Sequence, residues 1–208
     1  MLEDIGFGKF QMLAYAAIGF GINCTGYWFY ILGYLYQAPA FSCEMTPDHL
    51  ARSEEICTQA NICKGDNRII HWQIDEDADN TLYNWRQKLH IDPCEETWKL
   101  SFIASAFMLG WGATLLWVPS LADKLGRKPV FAFGNVLSTL MFSVLMVTES
   151  LDATIFASFV LGMLSSTCVN VGYVYLTELM PESKKVTLGS FWNIFEGSIY
   201  VLATFYFW

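Results

Sequence analysis

Four long stretches of this chain contain no acidic or basic side chain. No Asp, Glu, Lys, Arg or His occurs between Phe10 and Cys43, Leu100 and Ala122, Pro129 and Thr148, or Ala153 and Thr177. An α-helix rises about 1.5 Å per residue, so about 20 residues cross a hydrocarbon core of roughly 30 Å. Each of the four runs is long enough to span. A fifth reaches from Val186 to Trp208, interrupted once by Glu196. Charged residues make up 15% of the chain, against roughly 25% in soluble domains. The expected class is therefore all-α: a polytopic transmembrane helix bundle with about five spans, whose first partner is the lipid bilayer.

The first run does not read as a cleavable signal. Glu3 and Asp4 precede it, no basic leader does, and it exceeds the 7–15 apolar residues, roughly, of a signal peptide. Pro39 closes it, because proline cannot donate the next helical hydrogen bond. The expected organisation is an N-terminus over 1–9, a first transmembrane helix over 10–39, a loop over 40–98 and helices two to five over 99–208. Lys124, Arg127 and Lys128 lie between spans two and three, Lys184 and Lys185 between spans four and five, and no basic residue lies between Glu149 and Asp152. Basic loops stay on the cytoplasmic side. The N-terminus is thus expected inside and the 40–98 loop outside, with the plasma membrane as the expected location and an organelle membrane as the alternative.

The loop holds twelve acidic and five basic residues, and with them most of the formal charge of −8. It also holds Cys43, Cys57, Cys63 and Cys94. An even number of cysteines on the non-cytoplasmic side points to two disulfides, with three connectivities open. Zinc is disfavoured, since the spacings are wide and no CxxC pair occurs. Cys24 and Cys168 fall inside spans and are expected to pack as small apolar residues. Asn61, Asn67, Asn80 and Asn84 are not followed by Ser or Thr two positions on, so no N-glycan is expected there. Asp75, Glu76, Asp77 and Asp79 read as a solvated run without calcium-loop spacing. His49, His71 and His90 lack metal spacing, no phosphate-binding glycine loop occurs, and no nucleic-acid surface is present. No enzyme chemistry, metal or other cofactor is expected.

The turn after the second span reads Leu121-Ala122-Asp123-Lys124-Leu125-Gly126-Arg127-Lys128-Pro129. Gly126 suits a sharp reversal, Pro129 the first turn of the next helix, and Asp123 is spaced to pair with a neighbouring cation. This string resembles the signature loop between helices two and three of the major facilitator superfamily. Ile5-Gly6-Phe7-Gly8-Lys9-Phe10-Gln11, the cysteine-bearing loop closing at Cys94 and Trp98, and Tyr175-Leu176-Thr177-Glu178-Leu179-Met180-Pro181-Glu182 with Lys184-Lys185 are similar to the organic cation, anion and carnitine branch of that family. The resemblance implies alternating access by two six-helix halves about a midplane site. It also implies a gating charge network of Asp123, Gly126, Arg127, Lys128 and Glu178 with Lys184 or Lys185.

Glu196 lies about ten residues into the fifth span, where an exposed charge costs at least about 2.5–3.5 kcal/mol. It is a candidate proton-coupling carboxylate, cation attractor, or neutral helix-locking group. Asn193, one turn earlier, is expected on roughly the same face. Asn23, Tyr27, Tyr30 and Tyr34 form one polar-aromatic stripe at helical spacing, with Trp28 beside it. Such a stripe suits an organic cation through cation–π attraction of about 0.5–2 kcal/mol, or simple packing. Gly110, Gly112, Gly134, Gly162, Ser165 and Ser166 are expected to permit close helix approach.

The pattern departs from the family in three places. Pro119 replaces a glycine and should kink the end of the second span. Ser158, before Val160-Leu161-Gly162, stands where related transporters often carry arginine. Five spans fall short of twelve, so the sixth helix and second half are expected to be missing. Two functions follow. One is the N-terminal portion of a secondary transporter of small organic ions. The other is a shortened, non-transporting structural subunit partnered by other membrane subunits.

Overall fold

The computed structural model describes residues 8–35, 37, 39–45, 57–65, 67, 69–75, 85–89, 91, 94 and 97–207. Glu76, Asp77 and Asp79 of the acidic run, His49, His90, Asn80, Asn84 and the lead-in at 5–7 lie outside the described residues. The described chain forms two compact units, one of residues 1–32 with 102–208 and one of residues 33–101.

The first unit is a helix bundle. Helix α1, Lys9–Leu35, contributes its length up to Leu32. The second span is broken. Helix α4, Thr97–Leu115, gives way to α5, Val118–Leu125, across a bend of 49°. Pro119 explains the break: it lacks the amide that would bond the carbonyl four residues back, and its ring collides with that carbonyl, which belongs to Leu115, the last residue of α4. Gly126 then reverses the chain at a φ of 91°, a conformation that side chains resist. Helix α6 follows over Arg127–Val147, α7 over Leu151–Leu179 and α8 over Glu182–Phe207.

Helix α7 is the centre of the bundle. Of its apolar stretch 56% is buried, against 17% for α6. Apolar burial does not drive helix association in lipid, so close approach through small residues must. Gly110 of α4 and Gly162 of α7 show this reciprocally: a Cβ on Gly110 would collide with the Phe159 carbonyl, and one on Gly162 with the Phe107 carbonyl. Thr114 adds a polar stitch there, its hydroxyl 2.6 Å from the Gly110 carbonyl and 3.3 Å from that of Met163. Gly134 of α6 backs on Cys168, which is buried beside Ser138 at 3.8 Å. Gly112 does not share this role, because it faces open space. Ser158 and Ser165 are fully buried, and their hydroxyls have no hydrogen-bond partner among the described residues.

Among the described residues, α6 and α7 are long and apolar enough to cross a membrane by composition alone, and the α4–α5 pair is a third such segment if taken as one bent span. Helices α1 and α8 have 27 and 26 residues, a length of about 40 Å, but fall short in apolarity. Their polar side chains include Asn23 and Tyr30 on one and Glu196 on the other, and these face inward.

The second unit carries the only departure from an all-α chain among the described residues. Strands β1, Phe41–Met45, and β2, Ile69–Ile74, pair antiparallel with Cys43 opposite Trp72 and Glu44 opposite His71. Alternating Ile, Trp and Ile in β2 suit a half-buried strand, and the Trp72 ring meets Phe41 edge-on at 5.9 Å. Short helices α2, Gln59–Cys63, and α3, Trp85–Lys88, complete the unit. Of the three open connectivities, the structure has Cys43–Cys57 and Cys63–Cys94, with Cα atoms 5.7 and 5.1 Å apart.

Candidate functional site

Helices α1, α4, α7 and α8 line a half-open cavity of about 290 Å³. Its lining comprises Ile22, Asn23, Tyr30, Phe107, Met108, Trp111, Val169, Trp192 and Glu196. Helical periodicity positions its polar side. Asn23 and Tyr30 are seven residues apart on α1, two turns along one face. Tyr30 donates its phenolic hydrogen to Glu196 Oε1 at 3.3 Å, and its ring meets Tyr200 edge-on at 5.8 Å. Asn23 is buried and donates to the Gly19 carbonyl of its own helix at 2.8 Å. Glu196 is the one carboxylate or cation in the lining.

Other members of the expected stripe lie elsewhere. Tyr27 is half-buried and outside the lining. Trp28 packs edge-on against Phe142 of α6 at 5.3 Å. Asn193 is exposed and also outside the lining, which corrects its expected place beside Glu196. The residue that joins Glu196 is Trp192, one turn back at i−4. Trp192 sits against Gly19, and its ring lies 6.4 Å from that of Tyr15 at nearly a right angle. Sequence reading also missed Trp111 and Phe107. Trp192 at i−4 and Asn193 at i−3 are both helical neighbours of Glu196, so spacing alone did not choose between them, and nothing local marks Trp111.

A second cavity of about 410 Å³ shares Ile22, Val169 and Trp192 with the first and reaches Asp123, Arg127, Asn170 and Tyr173. At its far end Arg127, the first residue of α6, donates to Asp123 Oδ1 of α5 at 3.0 Å and to Glu178 Oε1 of α7 at 3.2 Å. The guanidinium fork thus joins three helices. Arg127 is 25% exposed, while Asp123 and Glu178 are 64% and 53% exposed. Pairs this open to solvent are worth about 0–1 kcal/mol. Lys185 does not join it: its ammonium bonds Glu182 at 2.6 Å, one turn away. Lys128 and Lys184 are exposed and make no ion pair among the described residues. The expected network is therefore smaller, a triad of Asp123, Arg127 and Glu178 on the turn that Gly126 shapes. Among the described residues no three His, Cys, Asp or Glu side chains are grouped to hold a metal.

A membrane helix bundle with an ionisable group in an interior cavity and an arginine-centred triad at one end is the class these features define. The profile of the Major Facilitator Superfamily matches residues 69–205, and the chain belongs to that family. It is 27% identical over 95 residues to multidrug resistance protein MdtL of Shewanella oneidensis, covering 46% of this chain and 24% of the relative. It is 29% identical over 113 residues to solute carrier family 2, facilitated glucose transporter member 5, of Mus musculus, covering 53% and 23%. With multidrug resistance protein MdtM of Salmonella typhimurium it shares 32% identity over 81 residues, covering 38% and 20%. The chain thus spans about a quarter of the length of the curated relatives it matches.

Proposed function

We propose that the chain forms the N-terminal part of a secondary transporter that moves small organic ions, with organic cations favoured, by alternating access. The carrying observation is the cavity in which Tyr30 orients Glu196 among the rings of Phe107, Trp111 and Trp192. A carboxylate attracts a cation, and aromatic faces add about 0.5–2 kcal/mol once water is displaced. A large anion gains nothing from this lining. In this reading the Arg127 triad holds one conformational state, and its release biases the equilibrium toward the other. The basic turns support a reading in which that end of the bundle, and the N-terminus, face the cytoplasm. Residues 40–98 then form an outer, disulfide-stapled loop. The organic-ion branch is argued from this chain's own motifs, since the relatives are named for multidrug resistance and for glucose.

The test is uptake into proteoliposomes of radiolabelled tetraethylammonium and, separately, of labelled p-aminohippurate. Cation uptake should exceed anion uptake and fall roughly tenfold or more in Glu196→Gln, the loss expected for a charge-assisted contact. Equal uptake by the variant removes the proposal. A second reading, a structural subunit that packs against other membrane proteins, draws on Ser158. That side chain is fully buried, so the arginine expected from the resemblance has no room there. Absence of any cation uptake favours this second reading.

A further inference from the structure

Trp192 of α8 borders open space on three sides. It lines the Glu196 cavity of about 290 Å³, the cavity of about 410 Å³ that reaches Arg127, and a void of about 20 Å³ beside Tyr15, Tyr173 and Gly189. Among the described residues it alone lines all three. Ile22 of α1 and Val169 of α7 also line both larger cavities, so these three side chains form the wall between them. The wall is held in place by its neighbours. A Cβ on Gly172 of α7 would lie 2.8 Å from Ile22 Cδ1, and one on Gly19 of α1 would lie 3.2 Å from Trp192 Cζ3. The Tyr15 ring meets the indole at nearly a right angle, 6.4 Å away. Tyr15 is itself fixed, since its hydroxyl donates to the Leu188 carbonyl at 3.0 Å, one turn before Trp192. Of the three wall residues Trp192 is the largest, and it is buried.

We infer that Trp192 is the specificity-determining residue of the Glu196 site: its indole closes that site toward the second cavity and so limits the size of the cation admitted. The inference rests on the cation reading given above. Trp192 stands at i−4 from Glu196, on the same helical face, so a cation held by the carboxylate meets the indole on that side. A larger ion must displace a ring already packed on Gly19 and Tyr15, and close-packed side chains resist such displacement. Without the ring the two cavities join. The charged residues of the second cavity, Asp123 and Arg127, are paired with each other, and Leu115, Pro119, Val171 and Val174 offer apolar surface to an alkyl group.

Binding of tetramethyl- through tetrapentylammonium to the purified full chain, read by displacement of labelled tetraethylammonium, tests this. The four arms of these ions point tetrahedrally, so one faces the indole whatever the open mouth of the cavity admits. Affinity should rise along the series as apolar area grows, then fall roughly fivefold or more at the first ion too large for the site. In Trp192→Ala the maximum should move to an ion at least one homologue larger, and Trp192→Leu should move it in the same direction. Tetramethylammonium should bind these variants roughly two- to tenfold more weakly, for want of the ring, and its retained dependence on Glu196 shows that they are folded. Leu115 lines the second cavity and not the first. Leu115→Trp should therefore leave the original maximum in place, and combined with Trp192→Ala it should restore that maximum. A series without a maximum overturns the inference, as does a maximum that stays put in both Trp192 variants. A shift that Leu115→Trp fails to reverse overturns it too. Binding that ignores Glu196→Gln, or no binding at all, removes the cation reading itself and this inference with it.

Discussion

Tyr30 and Glu196 lie 166 positions apart in sequence, yet the phenol donates to the carboxylate at 3.3 Å. The bond ties α1 to α8 at the wall of the interior cavity. Side-chain hydrogen bonds between membrane helices average about 0.6 kcal/mol and reach about 1.7 kcal/mol. A double-mutant cycle of Tyr30→Phe and Glu196→Gln, read by unfolding in mixed micelles, should give a coupling energy in that range. Strict additivity of the two variants would show that the pair does not interact.

Gly162 and Gly110 provide a sharper structural prediction, because each faces a backbone carbonyl that cannot move aside as a side chain can. Gly162→Ala should destabilise the bundle by about 1–3 kcal/mol, the usual cost of overpacking, and lower the melting temperature in detergent. Gly112→Ala is the control on the same helix as Gly110. Its site is open, and alanine gains about 1 kcal/mol of helix propensity, so it should be neutral or stabilising. A reversed order of the two variants would contradict the packing described.

The two disulfides predict a specific labelling pattern. Without reductant an alkylating reagent should spare the four disulfide-bonded cysteines and Cys168, which is buried. Peptide mapping should recover Cys43 joined to Cys57 and Cys63 joined to Cys94. Either cross-pairing would refute the fold of the loop that holds these cysteines. Loss of one bridge should cost that loop about 2–5 kcal/mol.

How much of this was readable beforehand depends on range along the chain. The turn at Gly126, Pro129 early in α6 and the kink at Pro119 each follow from the backbone chemistry of one residue, and the structure has all three. The triad was half legible. Asp123 and Arg127 flank the Gly126 turn, close enough along the chain for the reversal to bring them together, and Glu178 came from the family resemblance. Lys185 was misassigned because Glu182, three positions away, captures it first. The cavity was least legible. Asn193 and Trp192 are adjacent and no periodicity separates them until the direction of the neighbouring helix is known. Trp111 reaches the same space from α4 through packing at Gly110 and Gly162, which leaves no local trace at Trp111. Disulfide connectivity is likewise a long-range property, and the β1–β2 ribbon lies in a segment read only as a loop.

The Arg127 triad gives the last prediction. Its acids are more than half exposed, so mobile ions reach them, and raising salt from 0.1 M to 1 M shortens the screening length from about 10 Å to about 3 Å. If the triad latches one state, the cavity beside it should become more accessible as salt rises. Val174 lines that cavity and is itself exposed. With Cys24→Ala removing the background thiol, the alkylation rate of Val174→Cys should rise two- to fivefold across that range, as expected for pairs worth up to about 1 kcal/mol. Arg127→Gln should already react at the high-salt rate in 0.1 M salt and lose the salt response, because no charge remains to be screened. Glu178→Gln should show part of the effect, since Asp123 still holds the guanidinium. An undiminished salt response in Arg127→Gln would mean that the triad anchors the turn and latches nothing.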